Sequence, residues 1–393
     1  MQALELRIPG NYWDSLLYDG VLYLFTRSGE IRAHNWDQLV ASVAWSDDTR
    51  PLAMQFLTRG KAWYSAELQA VLRSPTTAAH FERLVSELTK TRRSVTHDAL
   101  RKSLSKSAAS PLYPHSDVET YANNVFMSGP EGVYQGALGT KVDYDFARVL
   151  DAPALRVAAS YRRLAVAAGS EGLLEKPLAT RRRDYEGDDS RLLSERYAQS
   201  CSWARFDVVA SSHRGDLGYL VAFTKPERDR TAPDEGRDLI GVVNARALFD
   251  RPRGYMFAAG DQLILVHESG VDLESWNPFR RREGYGADVE RSVVGRRTFS
   301  RKGFTQGVLD AGGSVFGIVV EHDNDLEVLA SDGTSKRLPE PVNWRCFPRS
   351  ARYVNHLHVT YDDHVRIYAY VHDYFLRGER GPATGKPKQV VLA

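Results

Sequence analysis

Apolar and polar residues alternate in short runs along this chain, and the runs come in pairs separated by Gly, Asp or Asn. In residues 16–25, two alternating segments flank Asp19 and Gly20. Alternate side chains of a strand face the same side, and a tight turn needs residues that tolerate a positive φ, so this pattern predicts a β-hairpin. The pattern recurs at residues 125–138, 164–176, 206–223, 255–266, 316–329 and 356–371.

The distance between successive hairpins indicates which repeat they form. The turns are marked by Gly20, Gly132, Gly172, Asp216, Asp261, Asp325 and Asp363. Four of the six intervals between these turns are close to the roughly 40–45 residues of a four-stranded propeller blade. The intervals from Gly20 to Gly132 and from Asp261 to Asp325 are longer, and each predicts an insertion.

The first blade is the clearest. Residues 16–18, 21–26 and 30–35 are three predicted strands joined by short turns, which is a β-meander. The repeated meanders resemble β-propellers of the WD40-like architectural class, and the resemblance covers most of the chain outside the two insertions. It rests on the hairpins, because the Gly-His and Trp-Asp dipeptides typical of WD40 blades do not recur with them.

The resemblance implies an all-β fold in which residues 1–393 form a single closed β-propeller domain. The hairpins favour seven blades, while six or eight stay open because an insertion can hide or mimic a blade. In closed propellers the N-terminal strand often completes the last blade. Residues 4–8 are therefore predicted to pair beside residues 365–371, which removes two sheet edges.

The first insertion is predicted to be helical and to cover residues 62–107, after the first blade. A capping Ser74 precedes Pro75, and apolar residues then recur at helical spacing. Further helices are predicted from Thr96 and over residues 65–72. A basic patch lies between residues 90 and 106. The residues predicted to bind a partner protein are Phe81, Leu84, Val85, Leu88, Arg92, Arg93 and Arg101.

The second insertion, residues 276–304, shows no sustained periodicity and is predicted to be a long loop. Its arginines stand among the aromatic residues Trp276, Phe279, Tyr285 and Phe304, a combination that can bind phosphates and stack on bases. The candidate nucleic-acid-binding residues are Arg280, Arg281, Arg282, Arg296, Arg297, Arg301 and Lys302. Residues 378–393 are polar and are predicted to form a flexible tail.

Composition limits the class of protein. The hydrophobic fraction is 42%, the charged fraction is 26%, and no apolar run approaches the length of a membrane span. The N-terminus shows no signal-peptide pattern and only two cysteines are present, which together favour a reducing cytoplasm. The net charge is only +2, so any basic surface is balanced by acidic residues elsewhere.

Histidine offers the strongest candidate chemistry. His356 and His358 share one face of a predicted strand and could bind zinc together with a carboxylate such as Asp363. Packing of that face against a neighbouring blade, with Asp363 as a turn residue, is the favoured alternative. No phosphate-binding loop and no nucleophile elbow is present, so we predict no catalytic residues and no cofactor.

These features predict a non-enzymatic scaffold or recognition subunit that binds partner proteins in a bacterial multi-protein complex. The propeller loops and the helical insertion would provide the contacts. One alternative is a nucleic-acid-binding propeller that uses its arginine-rich loops. A second is a hydrolase or metal-dependent enzyme with its site at the central channel, using His356, His358 and Asp363.

Overall fold

The computed structural model of the protein describes most of the chain. The described residues are 2–64, 66–72, 74–138, 145–178, 190–212, 218–224, 237–251, 253–280, 292–300, 307–330, 334–339 and 341–371. The predicted tail, residues 378–393, and the turn marker Asp216 lie outside them.

Strands follow one another along nearly the whole described chain. The first fourteen are β1 (Gln2–Pro9), β2 (Tyr12–Tyr18), β3 (Val21–Thr26), β4 (Glu30–Asn35), β5 (Arg93–Ser94), β6 (Leu104–Ala109), β7 (Asp117–Tyr121), β8 (Asn124–Gly129), β9 (Gly132–Ala137), β10 (Ala147–Leu150), β11 (Arg156–Ser160), β12 (Arg163–Ala167), β13 (Leu173–Pro177) and β14 (Arg191–Ser194). The others are β15 (Ser200–Ala204), β16 (Asp207–Ser211), β17 (Tyr219–Phe223), β18 (Leu239–Asn244), β19 (Tyr255–Ala259), β20 (Gln262–His267), β21 (Gly270–Trp276), β22 (Val293–Ser300), β23 (Asp310–Ser314), β24 (Gly317–Glu321), β25 (Asp325–Leu329), β26 (Ser335–Pro339), β27 (Asn343–Cys346), β28 (His356–Thr360) and β29 (His364–Val371).

The strands form seven sheets, and the chain is a seven-blade β-propeller. Six sheets have four strands each, in the orders β2-β3-β4-β6, β10-β9-β8-β7, β11-β12-β13-β14, β15-β16-β17-β18, β19-β20-β21-β22 and β23-β24-β25-β26. The last sheet has five, in the order β27-β28-β29-β1-β5. The predicted all-β fold and the favoured number of seven blades are confirmed.

The chain divides into two compact units. The first comprises the described residues of Met1–Ser110, Gly313–Val319 and Asn324–Ala393. The second comprises those of Pro111–Gly312 and Val320–Asp323. Among the described residues, none of the helices combines the length and the apolar character that crossing a membrane requires.

In the first unit, the N-terminal strand completes the last sheet as predicted. β1 runs antiparallel to β29, with Leu4 opposite Ala369 and Ile8 opposite Val365. On its other side, β1 pairs in parallel with the two-residue strand β5, where Leu6 lies opposite Arg93. The side chains of Leu4, Leu6 and Ile8 are fully buried, so this strand is a central part of the hydrophobic core.

The helical insertion lies inside the first blade, between β4 and β6, and not after the blade as the sequence predicted. Its helices are α1 (Trp36–Ala41), α2 (Arg50–Thr58), α3 (Ala66–Leu72), α4 (Pro75–Lys90) and α5 (His97–Ser103). The predicted range 62–107 is therefore too late at both ends: α1 follows β4 directly, and residues 104–107 belong to β6, which pairs with β4.

The second unit contains four of the blades. Its first strands lie side by side, since β11 contacts both β7 and β15, and β15 contacts β19. Hairpin turns occur where the pattern placed them. Gly172, between β12 and β13, has a φ of +91°, and a Cβ at this position would lie 2.1 Å from the carbonyl oxygen of Ser194. Helix α6 (Ala245–Phe249) follows β18.

The range 276–304 is not one continuous loop. Trp276 ends β21, and Val293–Ser300 forms β22, the fourth strand of its blade. β21 and β22 pair antiparallel from Gly270 opposite Ser300 to Trp276 opposite Val293. The insertion is thus a connection between the last two strands of a blade, and residues 281–291 and 301–306 lie outside the described residues.

Candidate functional site

The apolar face of α4 is buried against other elements of the same chain. Phe81, Val85 and Leu88 are buried, and Leu84 is half-buried. Helix α4 contacts β1, α2 and α3, and the ring of Phe81 lies 6.2 Å from that of Phe56. This corrects the prediction of partner contact for Phe81, Val85 and Leu88, because α4 packs against β1 of the last sheet and against other helices of the insertion.

The predicted basic residues of the insertion differ in their exposure. The side chain of Arg92 is 79% exposed and its Nε lies 3.3 Å from Glu5. The side chain of Arg101 is 80% exposed and donates to Asp98 over 2.6 Å. Arg93 is half-buried, with its guanidinium over the ring of Trp45. Arg92 and Arg101 thus face solvent, as do Arg83, Lys90 and Lys102.

The second basic group is only partly described, and its two described side chains differ in their surroundings. Arg280 is exposed, whereas Arg296 donates from Nε to the fully buried carboxylate of Glu274 over 2.7 Å. Arg281, Arg282, Arg301, Lys302 and the side chain of Arg297 lie outside the described residues. Arg296 therefore serves to pair a buried acid, which leaves Arg280 as the described candidate for nucleic-acid contact.

Two aromatic residues of the same range also have structural roles. Trp276, predicted as a stacking platform, is fully buried and donates from Nε1 to Asp207 over 2.9 Å. Phe279 is exposed, but its ring meets that of Phe206 edge to face at 5.2 Å. The sequence pattern could not separate these core contacts from a surface for bases.

His356 and His358 both lie in the interior. The Nε2 of His356 donates to the carbonyl oxygen of Phe56 over 3.2 Å, and burial lowers the pKa of His356 to about 4. The Nδ1 of His358 is hydrogen-bonded to the Oγ of Ser15 at 3.0 Å, and burial lowers the pKa of His358 well below its usual value. Both imidazoles are therefore neutral groups without contact to solvent.

Asp363 is not part of this histidine pair. It lies in the exposed turn before β29, where its carboxylate pairs with Arg7 and with His364, each over 2.6 Å. In the described part of the chain, no group of three or more His, Cys, Asp or Glu side chains is arranged to hold a metal ion. The structure therefore keeps the two histidine rings together, 5.9 Å apart in the interior, and places Asp363 at the surface.

Because the pKa of His356 is lowered, we expect the free energy of unfolding to decrease in mild acid. Its pKa is about 4 in the folded chain against the usual 6.5, so between these values the unfolded chain binds the proton more strongly. The contribution of neutral His356 to the free energy of unfolding is complete above pH 6.5 and decreases as the pH drops towards 4. Between pH 7 and pH 5 the decrease is about 2 kcal/mol. Urea denaturation at both pH values measures this. The His356→Gln variant should lose that part of the pH dependence, and an unchanged dependence would contradict the assignment.

A polar network that the sequence did not indicate joins the first strands of the second unit. The Nη1 of Arg156, in β11, lies 2.6 Å from Asp310, and its Nε lies 3.6 Å from Asp117. The hydroxyl of Tyr255 donates to Asp310 over 2.6 Å. Burial alone lowers the pKa of Arg156, but the carboxylates of Asp310 and Asp117 raise it well above its usual value.

A weak sequence signal for this network exists. Asp117 and Asp310 each begin a first strand, and each accepts a hydrogen bond at 2.8 Å from the backbone N–H of the next residue. Asp14 in β2 makes the same local contact at 2.7 Å and pairs with Arg345 over 2.6 Å. An Asp at the start of an apolar strand, repeated among blades, marks these positions.

A second network, also in the second unit, surrounds the fully buried Glu175 of β13. Its Oε1 accepts from Arg163 Nη1 over 3.1 Å and from Arg191 Nη2 over 2.7 Å. Its Oε2 accepts from Arg237 Nη1 over 2.7 Å. These arginines come from β12, from β14 and from the residue two before β18, so no local motif unites them.

Two serine–histidine pairs and one cysteine lie in the interior of the described chain. The pairs Ser15–His358 and Ser103–His34 are both buried. Burial raises the pKa of the Cys201 thiol to about 12, which leaves it uncharged at neutral pH. These groups serve the interior of the blades.

No protein-family model matches this chain, and no curated protein matches it. Solved structures do resemble it. Virginiamycin B lyase from Staphylococcus aureus is 8% identical, with a TM-score of 0.49, over 94% of this chain and 99% of that one. The β-propeller domain of Cps50 (Swd1) from Myceliophteria thermophila is 7% identical, with a TM-score of 0.48, over 92% of this chain and 100% of that one.

A third solved structure is Sqt1 from Chaetomium thermophilum, which is bound to the N-terminus of the ribosomal protein L10. It is 12% identical, with a TM-score of 0.35, over 63% of this chain and 70% of that one. At such identities the similarity concerns the fold alone. A shared fold does not by itself determine a function.

Proposed function

We propose that this chain is a non-enzymatic scaffold or recognition subunit of a multi-protein complex. Its helical insertion would present a basic surface to an acidic segment of a partner protein. The insertion surface is defined by the exposed residues Arg83, Lys90, Arg92, Arg101 and Lys102. The observation that carries the proposal is the attachment of the insertion to the last sheet, which fixes Arg92 beside β1.

Two kinds of contact make this attachment. The apolar side of α4 contacts β1, and β5 extends the sheet as its fifth strand, with Arg7 opposite Ser94. Helix α5 begins at Thr96, whose side chain accepts a hydrogen bond from the backbone N–H of Ala99. A surface held by a sheet and a capped helix loses little conformational entropy when it binds.

The charges support an acidic partner. Glu5 is the carboxylate nearest to Arg92, at 3.3 Å, and it also pairs with Lys336 over 3.0 Å. One carboxylate thus faces two cations, so positive charge remains for a partner. Complementary charge raises the rate of association and selects among partners more than it raises affinity.

A double charge reversal tests the proposal. Arg92→Glu combined with Arg101→Glu is expected to abolish recovery of the partner that the wild type captures from lysate of its native cells. Both side chains are exposed, so the melting temperature should change little. Quantitative mass spectrometry of the captured proteins, at two salt concentrations, measures the loss.

The second unit provides a matched control. Arg148 pairs with Asp151 three residues on, as Arg101 pairs with Asp98, and Arg205 forms an exposed pair with Asp261. The variant Arg148→Glu with Arg205→Glu therefore makes the same change of charge at residues that do not belong to the insertion, and it should keep the partner. Equal recovery by all three proteins would refute the role of the insertion surface.

A further inference from the structure

Three arginines of the second unit surround the buried carboxylate of Glu175, and Asp207 is a second buried carboxylate that acts electrostatically on Arg237. The side chain of Arg237 is only 2% exposed. Taking a charge out of water costs several kcal/mol unless an opposite charge compensates it. Glu175 and Asp207 together still leave one of the three guanidinium charges without a carboxylate, and this excess favours the entry of an anion.

Two donors of Arg237 lack an acceptor among the described residues. Its Nη1 donates to Glu175, whereas its Nε and Nη2 are shielded from solvent and meet no hydrogen-bond acceptor in that part of the chain. Buried donors are nearly always paired in folded proteins. The Nε and Nη2 groups of an arginine lie along one edge and donate in parallel, which is the arrangement that grips two oxygens of a carboxylate or phosphate.

The surroundings hold this edge in place. The guanidinium of Arg237 lies 3.4 Å from the ring centre of Phe223 and 4.9 Å from that of Trp203. Aromatic faces attract the cation and fix its plane. Burial lowers the pKa of Arg237 to about 10, so the group still carries its charge at neutral pH.

We infer that Arg237, with Arg163 and Arg191, forms a binding site for one oxyanion group, a carboxylate or a phosphate. The anion would bind to the Nε and Nη2 edge of Arg237. Entry requires a side chain to move, and Arg191, at 39% exposure, is the one of the three that can turn into solvent. This site belongs to the second unit, shares no residue with the insertion surface and does not depend on the proposed function.

Equilibrium dialysis of the full chain against radiolabelled inorganic phosphate, and in parallel against labelled acetate, tests the inference at constant ionic strength. We expect saturable binding of one anion per chain. The arm with the lower dissociation constant identifies the preferred group. The melting temperature of the protein should also rise as the concentration of the anion is increased.

Arg237→Lys removes the paired donors while keeping the charge, and it should raise the dissociation constant at least tenfold. Arg205→Lys, at an exposed ion pair, should leave binding unchanged. If Arg237→Lys does not fold, Arg191→Lys takes its place, and it should weaken binding severalfold. Absence of saturable binding of both anions to the wild type, or equal affinity in the lysine variants of the cluster, would overturn the inference.

Discussion

Replacement of Glu175 by Gln is expected to lower the free energy of unfolding by about 3–5 kcal/mol, the usual cost of removing one partner of a buried ion pair. The amide cannot neutralise the three arginines, and Arg163 and Arg237 are too deeply buried to reach water. Urea denaturation followed by tryptophan fluorescence measures the change, with Trp203 next to the cluster as a reporter.

Glu274 provides a control of the same residue type and burial. It is fully buried like Glu175, but among the described side chains it pairs with a single arginine, Arg296, which is 50% exposed. Arg296 can turn into solvent when its partner is lost, so Glu274→Gln should cost clearly less than Glu175→Gln. Equal losses in both variants would mean that the number of buried arginines around Glu175 does not determine its importance.

Truncation of Phe81 to Ala should also destabilise the protein by about 3–5 kcal/mol, as large-to-small changes of aromatic core residues do. The side chain is buried between α4 and the rest of the first unit, next to Phe56. If Phe81 were an exposed residue that only binds a partner protein, its truncation would leave the stability of the isolated chain unchanged. Thermal and urea denaturation of the purified chain decide between these outcomes.

Leu84 is the matched control for this prediction. It belongs to the same predicted apolar face of α4 but is only half-buried, so Leu84→Ala should cost much less than Phe81→Ala. If Phe81→Ala is as stable as the wild type, the side chain of Phe81 does not stabilise the packing of α4. Phe81 would then again be a candidate for contact with a partner protein.

The blades were predictable because a hairpin is encoded locally. Alternation and a turn residue are enough, as at Asp19 and Gly20, where both φ angles are positive. Even the pairing of residues 4–8 with the last strand followed from the physical cost of an open sheet edge. The apolar stripe of α4 likewise gave a helix in the right place.

The remaining errors concern tertiary contacts, that is, which part of the chain packs against each residue. A stripe of apolar side chains predicts that the face is buried, but it does not say whether the chain itself or a partner covers it, as Phe81 shows. Helix α1 has only six residues, too few for a periodic signal. The arginines around Glu175 come from distant parts of the chain, so only the folded structure assembles them.

The position of β1 between β29 and β5 affects how the protein is made. Strand β1 leaves the ribosome long before β29, the strand with which it pairs, since Gln2 lies opposite Val371. At a synthesis rate of ~5–20 residues per second, the apolar side chains of β1 stay without this partner strand for roughly 20–70 s. During this time β5, which lies much earlier in the sequence, can occupy one edge of β1. The insertion would then act as an internal chaperone for an unfinished blade.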